Sequence, residues 1–253
     1  MKTRADGRDA KTLRPISIET GLQRNPEGSV LYRCGGTTVL CSASVDEGVR
    51  DFLRGQGKGW VTAEYAMHPR ANPSRQSRDG RRSSGIDGRT QEIQRLIGRA
   101  LRAAIDPKKL GERTITVDCD VLDADGGTRT ASVTGGFIAL AMALDGLRKR
   151  GLVGPGVLRA PLAAVSVGLL EHVPLLDLCY TEDRDAQVDL NIVATATGDV
   201  VEVQGTAEDE PMSRPQLDAL VSLGIGAIPT LFDAQKAALA KVGVDIARLL
   251  GQA

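Results

Sequence analysis

Residues 114–121, Thr-Ile-Thr-Val-Asp-Cys-Asp-Val, alternate polar and apolar side chains without interruption. A period of two belongs to a strand with one face on a core and the other toward water. Asp125-Gly126-Gly127 then breaks the pattern, and a helix is predicted from about Thr130 to Arg150. A strand that leads through glycines into a long helix requires a layered architecture, because each element must bury one side against another.

The flanking segments fill in the layers. Residues 13–20 and 28–33 read as short strands, Cys34-Gly35-Gly36-Thr37 as a turn, and 38–45 as the return strand of a hairpin. Four glycines make 48–60 an irregular loop. Residues 68–88, rich in Arg, Pro and Gly, predict an extended, mobile arm. In the helix at 89–104, Ile93, Leu96, Ile97, Ala100, Leu101 and Ala104 form one buried stripe. Arg95, Arg99 and Arg102 share another face, and Pro107 lies past the end. Strands are expected at 161–170, 173–181, 187–196 and 199–204, and helices at about 213–223 and 231–250. There is no repeat and no linker. This order predicts an α+β fold, a two-layer sandwich of mixed β-sheet and helices, as a single domain over 1–253.

Composition narrows the function classes. At 253 residues and 42% apolar, the chain can bury a substantial core, which argues against disorder. No apolar run reaches the roughly 18–20 residues of a bilayer span, and Met1–Asp6 lacks an apolar signal core. A cytoplasmic location and no membrane partner are therefore expected. Cys34, Cys41, Cys119 and Cys179 are scattered without a Cys-x-x-Cys pair and read as reduced core residues.

Net charge is zero, with 32 basic and 32 acidic residues, but it is unevenly spread. Arg70, Arg75, Arg78, Arg81, Arg82 and Arg89 face only Asp79 and Asp87 within 68–89. The stretch 171–189 is acidic. That asymmetry suits a polyanion in one place and a metal in another. With only 3% aromatic residues, the arm at 70–82 is expected to contact phosphates rather than to stack bases, so RNA binding would be sequence-tolerant.

Three further constellations carry chemistry. Gly126-Gly127-Thr128-Arg129-Thr130-Ala131-Ser132 lies between a strand and a helix. A helix N-terminus offers free N–H groups and partial positive charge, glycines allow close approach, and Arg129 adds a forked donor. An ordinary capped turn has the same local appearance, and the spacing of a Walker loop is absent. Arg89, beside Thr90 at the next helix start, opposes the helix dipole unless an anion binds there. Asp183 and Asp189 flank Arg184-Asp185-Ala186-Gln187, which reads as a hairpin turn. The two carboxylates would then face each other at about 5–6 Å, a spacing suited to Mg²⁺ with most of its waters.

In their order along the chain, these segments resemble the bacterial ribonuclease PH family of tRNA nucleotidyltransferases. The matching pieces are Glu27–Val30, Gly55–Tyr65, Gly88–Arg99, Cys119–Ser132, Ala164–Gly168 and Val201–Glu208, and the resemblance covers roughly 4–230. The resemblance implies a phosphorolytic 3′-to-5′ exoribonuclease that trims tRNA precursors. It implies inorganic phosphate on Arg89, Gly127, Thr128 and Arg129, Mg²⁺ on Asp183 and Asp189, and tRNA on Arg70, Arg75, Arg78, Arg81 and Arg82. It also implies a homohexamer built as a trimer of dimers. Two positions depart from the family pattern: Asp123 replaces a glutamine, and Cys179 stands where an acid is frequent. The alternatives are a non-catalytic RNA-binding ring subunit, a metal-dependent hydrolytic nuclease and, last, a small-molecule kinase.

Overall fold

The computed structural model describes residue 4 and residues 6–78, 85–208 and 210–252. Its strands and helices, in chain order, are β1 (Ile16–Thr20), β2 (Gly28–Cys34), β3 (Thr37–Asp46), β4 (Trp60–Met67), α1 (Gly88–Ala103), α2 (Pro107–Leu110), β5 (Thr114–Asp123), α3 (Thr128–Lys149), β6 (Leu162–Leu170), β7 (Val173–Leu176), α4 (Tyr180–Asp185), β8 (Val188–Thr195), β9 (Val200–Ala207), α5 (Arg214–Lys241) and α6 (Ile246–Leu250). The expected α+β sandwich of mixed sheet and helices forms, with the strands divided between two sheets.

The alternation at 114–121 produces β5, whose Ile115, Val117, Cys119 and Val121 are buried. It lies inside a five-stranded mixed sheet of order β1-β2-β3-β5-β4, in which only β4 and β5 run parallel. The second sheet, β7-β6-β8-β9, is antiparallel. Between the sheets runs α3, which packs on β2, β3 and β5 on one side and on β6 and β8 on the other. Its sequence is apolar all round, and 17 of its 22 residues are buried, as that position demands. In β6, Ala163, Val165, Val167 and Leu169 face the cluster with Leu220, Ile228 and Leu231 of α5, while Leu162 and Ala164 join the core around α3. A strand covered on both faces carries an unbroken small-apolar run. Both α3 and α5 are long and apolar enough, by length and composition, to cross a membrane. Here α3 is the core of the protein and α5 packs on β6 and β8.

Three expectations need correction. The segment 177–187 is not a hairpin. β7 ends at Leu176, Asp183 sits in the short helix α4, and only Asp189 lies on a strand, β8. The cause is tertiary: Arg4 makes a bidentate pair with Glu182 at 2.7 and 2.7 Å, and Glu182 accepts from the Cys179 N–H at 3.0 Å, which starts a helix there. The predicted break at 224–230 is also absent. α5 continues through Pro229, which is exposed, because Leu220, Gly224, Ile228, Leu231 and Gln235 keep one buried stripe at helical spacing. The interruption comes later, before α6. Finally, 60–67, where no strand is expected, forms the eight-residue strand β4.

Candidate active site

Strand β5 ends in the loop 124–127, and the loop ends in α3. Gly126 and Gly127 both have left-handed backbones, φ 77° and 64°, which glycine adopts without strain. A side chain on Gly126 would come within 2.7 Å of the Leu178 carbonyl oxygen, so the loop is wedged against the start of α4. The first turn of α3 holds no acid and no side-chain cap. The N–H groups of Gly127, Thr128 and Arg129 have no hydrogen-bond partner among the described residues. A helix end with free N–H groups and no acid in its first turn has the chemistry to accept an anion.

Tyr65 of the first sheet, Glu92 of α1 and Gln204 of β9 shape this end. Tyr65 of β4 donates its hydroxyl to Thr128 Oγ1 at 2.9 Å in a buried contact. Burial pushes the Tyr65 hydroxyl up, against the opposing pull of Thr128, Arg89 and Arg129. Glu92, one turn into α1, accepts from Arg129 Nη2 at 3.0 Å and from Gln204 Nε2 at 2.6 Å. Burial works against its charge, but these donors outweigh it and hold the carboxyl low. Arg129 Nε is buried with no partner. The guanidinium is thus half held by protein and half uncommitted.

The carboxylates meet the arginines here. Burial raises the Asp183 carboxyl, and the charges of Arg129 and Arg89 draw it back down. Burial and the neighbouring Asp183 raise Asp189, again opposed by Arg129 and Arg89. Asp183 is solvent-exposed as a residue although its carboxyl is crowded. Arg89, exposed on the first turn of α1, therefore shares one electrostatic cluster with Arg129, Tyr65, Asp183 and Asp189. No group of three or more His, Cys, Asp or Glu side chains that could hold a metal ion occurs among the described residues. The acidic pair is the available donor set. Two hard carboxylates, both raised by burial and one of them, Asp189, also by the charge of Asp183, suit a Mg²⁺ ion that keeps most of its waters.

Other sequence-predicted residues lie nearby or elsewhere. Arg70, Arg75 and Arg78 are exposed on the arm, and Arg81 and Arg82 fall outside the described residues. The base of the arm is tied to the loop by the Ala124 N–H, which donates to the Ala71 carbonyl at 2.9 Å. Arg99 pairs with Glu202, and Arg102 lies over the Trp60 ring at 4.2 Å, so that face of α1 is engaged in the fold. Asp123 is exposed at the end of β5, and Cys179 precedes α4. An apolar groove of about 1130 Å³ lies elsewhere, between residues 10–16, β7 and α5, and none of the four charged site residues lines it. Sequence reasoning gave no role to Tyr65, Glu92 or Gln204. Their signal was placement within the same segments, not residue type.

Comparisons with known proteins agree with this architecture. The model for domain 1 of the 3′ exoribonuclease family matches residues 12–144, and the model for domain 2 matches residues 160–227. The chain is similar to the crystal structure of rice (Oryza sativa) Rrp46, at 19% identity over 93% of this chain and 100% of that one, with a TM-score of 0.76. It is also similar to a chain of the Archaeoglobus fulgidus exosome with RNA bound to the active site, at 21% identity over 92% of each chain, with a TM-score of 0.74. At these identities the structural likeness shows the fold alone. The two family models cover most of the chain from β1 to the middle of α5, and the protein belongs to the 3′ exoribonuclease family.

Proposed function

We propose that this chain is a phosphate-dependent 3′-to-5′ exoribonuclease of the bacterial ribonuclease PH type, a tRNA nucleotidyltransferase that trims the 3′ ends of tRNA precursors. One observation carries the reading: Arg89 and Arg129 act on the same two carboxylates, Asp183 and Asp189, beside an uncapped helix end. Two cations with free backbone donors suit a small mineral anion, and two acids suit a hard cation.

Inorganic phosphate would sit on Arg89, Arg129, Thr128 and the Gly127 N–H. One of its oxygens attacks the phosphorus of the last phosphodiester. The bond to the 3′ oxygen of the preceding nucleotide breaks, that oxygen takes up a proton, and a nucleoside 5′-diphosphate is released. The reverse direction adds nucleotides from diphosphates. The protein supplies position and charge neutralisation, since two anions must meet. Asp183 and Asp189 would hold Mg²⁺, which when bound stabilises charge on the reacting phosphate oxygens. Arg70, Arg75, Arg78, Arg81 and Arg82 would hold the RNA through its phosphates. The proposed assembly is a homohexamer, a trimer of dimers, in the cytoplasm.

The test is incubation with a tRNA that carries extra 3′ nucleotides, with and without inorganic phosphate. Diphosphates that form only with phosphate are expected. Monophosphates formed without phosphate would identify a hydrolytic nuclease, and RNA binding without any product would identify a non-catalytic ring subunit.

A further inference from the structure

We infer that Arg14 and Thr37 are positioning residues that lock the 125–127 loop with its carbonyls turned away from the anion and its N–H groups turned toward it. This rests on the phosphate reading of that loop and extends it to two residues outside it.

Every carbonyl in the loop has a dedicated donor. The Asp125 oxygen accepts from Arg14 Nη1 at 2.6 Å. The Gly126 oxygen accepts from Thr37 Oγ1 at 2.7 Å and from Arg14 Nη2 at 3.4 Å. The Gly127 oxygen accepts from Thr130 Oγ1 and the Ala131 N–H, both at 2.9 Å. On the donor side, only the Asp125 N–H is bound, to Thr37 Oγ1 at 2.9 Å. Thr37 thus bridges the loop with one hydroxyl, accepting from Asp125 and donating to Gly126.

This arrangement matters because two adjacent left-handed glycines can flip a peptide at little cost. A flipped peptide would aim a carbonyl dipole at the anion and repel it. The clamp selects the attractive orientation in advance, so no reorganisation is needed when phosphate arrives.

Arg14 is not itself free to bind phosphate. Its Nε and Nη2 grip Asp177 at 3.1 and 2.7 Å, its backbone N–H reaches the same carboxylate at 2.8 Å, and each residue is 3% exposed. Burial would lower the Arg14 guanidinium and raise the Asp177 carboxyl. Their mutual pairing outweighs burial in both, so Arg14 stays charged and Asp177 ionised. Asp177 takes up most of the guanidinium's donors, which leaves Arg14 to act on the anion through the geometry of the loop rather than by direct contact. Asp177 is held in turn at φ 55° by its N–H bond to the Ser166 carbonyl at 2.7 Å. The turn at 34–37 completes the cradle: a side chain on Gly36 would come within 2.8 Å of Asp125 Oδ2.

The experiment compares wild type with Thr37→Val, Thr37→Ser and Arg14→Lys. Inorganic phosphate binding is measured by calorimetry, alongside KM for phosphate, KM for RNA and kcat. Thr37→Val keeps the shape and removes both bonds, so phosphate affinity and KM should weaken about tenfold, with KM for RNA within about twofold. Thr37→Ser should restore wild-type values. Lysine lacks the fork that spans two carbonyls, so Arg14→Lys should mimic Thr37→Val if it folds, as judged by its unfolding transition. Wild-type phosphate affinity in Thr37→Val, or an equal rise in both KM values, overturns the clamp. If wild type degrades RNA without phosphate, the proposed function fails, and the calorimetry still decides the clamp by itself.

Discussion

The Asp125 carboxylate accepts a hydrogen bond from the Tyr180 backbone N–H at 3.2 Å. That contact joins the proposed anion-binding end of α3 to the first residue of α4, and Asp183 lies three residues farther along α4. The proposed phosphate and metal residues are therefore braced against each other. Asp125→Ala should lower kcat by about 10–100-fold, because a shift near 1 Å between reacting groups has that effect. A single-turnover rate equal to wild type would show that the brace is dispensable.

Arg129 offers a guanidinium that Glu92 holds on one side and leaves uncommitted at Nε. Arg129→Ala should slow phosphorolysis by about 10²–10³-fold, the usual effect of losing one charge-stabilising donor. Arg89→Ala should act in the same direction. Initial rates at saturating RNA and varied phosphate measure both, and near-normal rates would remove these residues from the site.

Tyr65→Phe deletes the donor to Thr128 without emptying space. Destabilisation of about 1 kcal/mol is expected from losing this buried hydrogen bond, read from urea unfolding. Phosphate KM should rise in the same variant, because the Thr128 hydroxyl loses its fixed orientation.

The carboxyls give opposite pH signatures. Asp183 and Asp189 are raised above the usual value of 3.8, first by burial. Their ionisation therefore opposes folding. That opposition is absent below about pH 4 and complete once pH exceeds their folded-state values. Asp183→Asn and Asp189→Asn should raise Tm at pH 7, lose that gain in acid, and abolish turnover. Added Mg²⁺ should raise the wild-type Tm more than that of either variant. Asp177 behaves in reverse. Burial would raise it, but Arg14 holds it low, so its contribution is present above the unfolded value and is lost as pH falls through the folded one. Asp177→Asn should flatten the acid side of the stability curve.

Much of this was legible from spacing. The alternation at 114–121 and the stripe from Ile93 to Ala104 report burial directly, so β5 and α1 formed where expected. The glycine loop was recognisable because its backbone conformation restricts residue choice. Asp183 was put beside a hairpin turn because the partner that holds α4, Arg4, lies 178 residues from Glu182, and no local pattern encodes that pair. In α5, Gly224, Gly226 and Pro229 looked like a break. Their turn-forming tendency gave way to a buried stripe that passes through them unchanged. Arg14 carried no signal at all, since a buried arginine is defined by what surrounds it.

The burial of α3 on every side sets where motion is possible. Its hydrogen-bonded backbone amides, from Ala131 onward, should exchange with deuterium only through global opening, so the scaffold behind the proposed anion-binding end stays intact as long as the molecule stays folded. Any rearrangement that admits a substrate strand must then come from the exposed side, where Arg70, Arg75 and Arg78 of the arm lie.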